Sequence, residues 1–191
     1  EKSTQSLTLN DDSVIDANVV LMAATDLEVF AGINAGTADA IGLSLTGTDL
    51  GMALVNEIGG SRNWFTLDAT ADAFGLVGIS GFTMASSAVQ LTINQGAKDG
   101  TVVDFATSLV TVATASGTQT IDVDGAMGEV FAVSGDLNLT LDGFTMVGQF
   151  GFARVVDRSG EGRVVLSASN VSIAGFGGDG TEGSPIDITN A

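Results

Sequence analysis

Apolar and polar residues alternate with a period of two along much of the chain. Leu137, Leu139 and Leu141 are separated by Asn138 and Thr140, and Ile41, Leu43 and Leu45 by Gly42 and Ser44. Val110 with Val112, and Ile121 with Val123, keep the same spacing. Successive side chains of an extended strand point to opposite faces, so this pattern predicts strands with one face on a core and the other in water. The polar partners are mostly Thr, Ser, Asn and Asp, which makes the predicted solvated face hydroxyl-rich and acidic. Few windows keep an apolar stripe at helical spacing for three turns, and 26 glycines in 191 residues argue further against helix.

Four pairs of strand-like arms flank clusters of turn residues and predict hairpins. Ala53-Leu54-Val55 and Trp64 to Leu67 bracket Asn56 to Asn63. Leu91-Thr92-Ile93 and Val102 to Phe105 bracket Gln95 to Gly100. Thr111-Val112-Ala113 and Gln119 to Val123 bracket Ser116-Gly117. Arg154-Val155-Val156 and Arg163-Val164-Val165 bracket Asp157 to Gly162. The expected fold is all-β, with hairpin-rich antiparallel sheets closed as a sandwich or run on as an elongated solenoid. Pro185 falls between a glycine-rich turn and a predicted strand, Ile186 to Ile188, where it breaks no interior ladder.

The chain also repeats itself. Val20 to Val29 (VLMAATDLEV) aligns with Val164 to Ile173 (VVLSASNVSI) at an offset of 144, and after a one-residue slip Leu43 to Thr46 meets Ile186 to Thr189. Residues 1–26 then read as the tail of a preceding module, 27–170 as one full module and 171–191 as the start of the next, with no flexible linker between them. A shorter echo, Gly81-Phe82-Thr83-Met84 against Gly143-Phe144-Thr145-Met146, reads as a shared way of entering a strand. A window cut from a tandem array would leave a sheet edge open at each end, and head-to-tail association is expected of it.

Charge and composition narrow the chemistry. With 6 basic and 23 acidic residues the net charge is −17, which excludes nucleic acid as an expected partner, since phosphate contacts need cations. The chain has no His, Cys or Tyr, which removes the usual neutral-pH proton shuttle, thiol chemistry, disulfides, ordinary zinc sites and haem ligation by His or Cys. The longest clean aliphatic stretch, Val19 to Ala24, is far short of the roughly 20 residues of a membrane helix. No charged-then-apolar leader opens the sequence at Glu1-Lys2-Ser3-Thr4, so an export signal is expected elsewhere on the gene or already removed.

Ile41 to Leu54 (IGLSLTGTDLGMAL), Trp64 to Leu67, Leu76 to Met84, Asp99 to Phe105 and Val133 to Leu141 together resemble the long repeat unit of very large bacterial secreted or cell-surface proteins, the RTX-adhesin-like giants. The resemblance covers the chain from about Leu27 to Phe152. It implies a surface or matrix role for the array, calcium-binding modules nearby and an extracellular setting, and it carries over no catalytic residue.

Calcium is the best cofactor candidate on chemical grounds, because hard cations take carboxylate and carbonyl oxygens in turns. Gly177 to Gly183 approximates one glycine- and aspartate-rich calcium nonapeptide, with Asp179 and Glu182 as its candidate ligands. Asp122-Val123-Asp124-Gly125 fails as an EF-hand, since Phe131 stands where the bidentate Glu belongs. Catalysis by paired carboxylates needs a defined separation and one raised pKa. Asp136 with Asp142, and Asp157 with Glu161, fit ordinary strand ends and turns instead, and no enzyme is expected. The aromatic residues read as core, with Trp64, beside the Gly59-Gly60 turn, as the one partly exposed candidate for ligand binding. The sequence therefore points to a non-enzymatic structural or adhesive module of a long extracellular protein. A self-assembling filament subunit and a carbohydrate-binding module are the alternatives. The expected partners are neighbouring copies, with no nucleic acid and no membrane insertion.

Overall fold

The computed structural model describes residues 2–157 and 159–175. Ten strands follow one another: β1 (Lys2–Thr8), β2 (Val14–Ile33), β3 (Ile41–Glu57), β4 (Asn63–Val77), β5 (Phe82–Gln95), β6 (Val110–Ala113), β7 (Thr118–Ile121), β8 (Glu129–Leu141), β9 (Phe144–Val156) and β10 (Gly162–Ala174). Eight of them form one antiparallel sheet in the order β1-β2-β3-β4-β5-β8-β9-β10, and β6-β7 is a separate hairpin. The all-β, hairpin-built reading matches this fold. Its closure is a correction: among the described residues there is no solenoid, and a second layer exists only where β6-β7 and its flanking loops lie over β2 and β3.

Three of the four predicted hairpins form, at β3-β4, β6-β7 and β9-β10. The fourth does not, because Val102 to Phe105 leaves β5 and crosses to the start of the chain. Leu9 bridges Val103, and the Asp104 amide donates to Thr8 O at 2.9 Å. Local alternation cannot choose between two possible neighbours, and burial of Val103 and Phe105 against β1 decides it here. The short echo marks strand entries: Gly81 (φ 74°) precedes β5 at Phe82 and Gly143 (φ 83°) precedes β9 at Phe144. At β8-β9 the two turn residues Asp142 and Gly143 both take positive φ, the Asp-Gly combination whose twist matches the flanking strands.

The core lies between one end of the sheet and the segment 96–128. Leu7, Ile15, Ala17, Val19, Leu21, Ala53, Val55 and Trp64 face Leu9, Val103, Phe105, Val110, Val112, Ile121 and Val123. The approach is close enough that a Cβ on Gly51 would come within 2.8 Å of Ile121 Cγ1, and one on Gly125 within 2.7 Å of Asp104 Cβ. Burying side chains of this size contributes about 1.5 to 3 kcal/mol each.

A line of irregularities crosses the sheet beyond this core. Register shifts occur at Ala24/Leu27 in β2, Ser87/Gln90 in β5 and Ser169/Ser172 in β10. Asp26 (φ 57°), Ala88 (φ 50°) and Asn170 (φ 53°) occupy the left-handed region at these bulges. The module boundaries read from the sequence, after residues 26 and 170, fall inside continuous strands at two of them.

Candidate functional site

The chemistry available on the sheet follows from which face each position takes. Val19, Val55 and Trp64 are paired in one row and face the cap formed by residues 96–128, so their neighbours Val20, Leu54 and Phe65 point to the opposite side. That opposite face is polar at β1 and its neighbours, where Lys2, Thr4, Asp16, Asn18 and Asn56 fall, and apolar from the row of Met22 onward. One cross-strand row runs Met22, Met52, Leu67, Ile93, Phe131, Arg154, Val164, and the next runs Ala24, Leu50, Ala69, Leu91, Val133, Phe152, Leu166. Arg154 is the only charge in these two rows, in a chain of net charge −17.

Nothing in the described structure covers this face. Leu166 is 77% exposed, and Phe131 and Phe152 remain open to solvent with their rings edge to face at 6.2 Å. Phe74, Val133, Leu137, Phe150, Phe152 and Leu166 line a groove of about 680 Å³, a volume in the range of small-molecule sites. Its polar lining comes from Ser86, Ser134 and Ser167, and no titratable side chain lines it. The arrangement is suited to packing or apolar binding.

Trp64 lies elsewhere and corrects the expectation of partial exposure. It is 2% exposed, packed beneath the 96–105 segment, and its indole N–H donates to Thr101 O at 2.9 Å. Arg62 lies over the ring at 5.3 Å and pairs with Glu57 at 2.6 Å and Asp99 at 3.3 Å. That guanidinium holds the Glu57 carboxyl below the usual range, and the two carboxylates push the Arg62 pKa up. A ring enclosed in this way presents no platform to a glycan.

The predicted calcium ligands, Asp179 and Glu182, lie outside the described residues. Among the described residues no group of three or more His, Cys, Asp or Glu side chains is placed to hold a metal ion. The turn carboxylates are engaged locally. Asp157 accepts from the Ser159 hydroxyl at 2.6 Å, from the Glu161 amide at 3.0 Å and from the Ser159 amide at 2.9 Å, and these bonds lower its pKa. Burial pushes the Asp104 carboxyl up, but the Thr107 hydroxyl and the Gly125, Thr107 and Ala106 amides outweigh it and bring the pKa below the usual value.

Sequence reasoning placed the phenylalanines in a core, yet among the described residues Phe105 is the one that is fully buried. β8, β9 and β10 alternate as regularly as β2 and β3, but Phe131 and Phe152 lie on the face opposite the segment 96–128, and no second layer covers that face among the described residues. No family model, curated protein or solved structure matches this chain. No helix of the described structure is long and apolar enough to cross a membrane.

Proposed function

We propose that this chain is a non-enzymatic structural module, repeated in tandem along a large extracellular or cell-surface bacterial protein, which it extends or displays. One observation carries the reading. The sequence repeat at offset 144 coincides with a repeat of backbone irregularity, since Asp26 and Asn170 are equivalent in the alignment and both take the left-handed conformation at a strand bulge. Positive φ is uncommon outside glycine, though Asp and Asn tolerate it best. In β2 the register shift is against β3, and in β10 it is against β9 on the opposite side. β5 carries a like bulge at Ala88, outside the aligned segments, so what supports the tandem reading is that Asp26 and Asn170 take it at the same aligned position against different neighbours.

An adhesive role for the array and calcium binding at Asp179 and Glu182 are parts of the same reading. A filament subunit is the second reading, supported by β1 and β10, which among the described residues are each paired on one side within the sheet. The reading frame from which the chain comes tests both. A long frame in which the unit recurs about every 144 residues is expected, and a frame holding a single copy would sink the tandem reading in favour of the filament.

A further inference from the structure

The two edges of the sheet are not alike. β1 carries Lys2, and a lysine is one of the means by which natural sheets discourage pairing at an edge. β10 is 13 residues long, contains no Lys or Pro, holds its one charge, Arg163, at its second position, and leaves Val164, Val165 and Leu166 at 61%, 47% and 77% exposure. An edge of this kind is a template for another strand.

The molecule contains a worked example of what that edge accepts. β2, the sequence equivalent of β10, is paired on both sides: with β1 on one and with β3 on the other. β1 lies at the position that corresponds, 144 residues on, to the middle of β9, which already pairs with β10. Among the described residues the other side of β10 is unpaired, and it corresponds to the side of β2 that holds β3. The geometry points to the open edge of β10 as an acceptor site for an antiparallel strand of the β3 kind, supplied by the next module of the same type. This inference rests on the tandem reading above and names the contact through which one module would join the next.

The pairings of β2 with β3 give the register. Val20, Met22 and Ala24 lie opposite Leu54, Met52 and Leu50, so Val164, Leu166 and Ala168 would meet the same three residues of an incoming strand. Val164 and Leu166 belong to the apolar face, and the added strand would continue that face with Leu54, Met52 and Leu50. The bulge supplies a polar check on register. The Asp26 amide donates to Asp49 Oδ1 of β3 at 2.8 Å, and in the added strand the corresponding carboxylate meets the Asn170 amide.

The test uses the full chain and a labelled peptide of residues 41–57. Saturable binding is expected, and with it slowing of amide hydrogen exchange by at least about tenfold at alternate residues of β10, those whose N–H groups point outward. Asp49→Ala in the peptide is expected to weaken binding by roughly three- to tenfold, through loss of one charge-assisted hydrogen bond. A scrambled peptide gives no protection. Absence of saturable binding, or protection at β1 instead of β10, would overturn the acceptor site. The two ideas fail separately. A single-copy reading frame removes the tandem reading while protection of β10 by the peptide stands, and a recurring frame without that protection removes only the acceptor site.

Discussion

The two ends of the long strands carry the same alternation and end in different environments. Where β2 and β3 run beneath the cap, Val19, Ala53 and Val55 are fully buried. Beyond the line of bulges, Leu43 on β3 and Leu141 on β8 are 38% and 46% exposed, although their neighbours alternate as strictly. Period two specifies that a face is apolar and says nothing of whether a second layer exists to cover it. Among the described residues the second layer is the segment 96–128, and it reaches only one end of one face.

The largest expected effect sharpens that contrast. Phe105→Ala empties the centre of the capped core and is expected to cost about 3 to 5 kcal/mol, whereas Phe152→Ala, on a half-open ring of the uncovered face, should cost below about 1.5 kcal/mol. Urea unfolding of both variants measures the difference. Equal losses would mean that the apolar face is covered in solution and that the two ends are not different.

Trp64→Phe comes next. It keeps the aromatic packing and removes one of two donors to the Thr101 carbonyl, which still accepts from the Ala97 amide at 2.9 Å, at a cost of about 0.5 to 1.5 kcal/mol. In the unaltered chain the fluorescence of this single tryptophan should resist quenching by acrylamide. Ready quenching would show that the 96–105 segment does not stay closed over the ring.

Much of the fold was legible in the sequence, because strand periodicity and turn chemistry are local. Asp142-Gly143, Ser116-Gly117 and the cluster after Asp157 each mark the turn that they form. The destination of Val102 to Phe105 was not legible, since its pairing with Leu9 spans nearly a hundred residues and is fixed by burial. The candidate site was legible least. Trp64 sits beside a glycine turn, which suggests exposure, but the strand parity that places it in a row with Val55 turns it inward. The exposed rings of Phe131 and Phe152 have the same local pattern as a core residue, and only the missing layer distinguishes them.

A smaller effect tests how the cap is fastened. Asp104 accepts from the Thr107 hydroxyl at 2.6 Å and from the amides of Ala106 at 3.1 Å and Gly125 at 3.2 Å, tying both ends of the cap together. Its folded-state pKa is lowered, so its contribution is present above the ordinary carboxylate range and is lost as pH falls through the folded value. Asp104→Asn should cost about 1 kcal/mol near neutral pH, solvent exposure keeping the figure small, and the gap from the unaltered chain should close in acid. A pH-independent gap in thermal melts would mean that shape, and not charge, secures the cap.

The smallest effect marks where the cover of the cap ends. Asp68 shares the strand face of Thr66, which is fully buried, but stands one step nearer the margin. Burial raises its carboxyl pKa, the Thr92 hydroxyl at 3.1 Å opposes the rise only in part, and Asp122 on the cap adds repulsion. The sign is therefore opposite to that of Asp104. Between the ordinary and the raised value the folded chain holds the proton that the unfolded chain has lost, so stability falls as pH rises through that window. Near neutral pH the ion is held at a cost, and Asp68→Asn should stabilise by less than about 1 kcal/mol while leaving the Thr92 bond an acceptor. Below the ordinary carboxylate range the two chains should melt together. A variant that is less stable at neutral pH would place Asp68 in water, and the cover of the cap would then stop at Thr66.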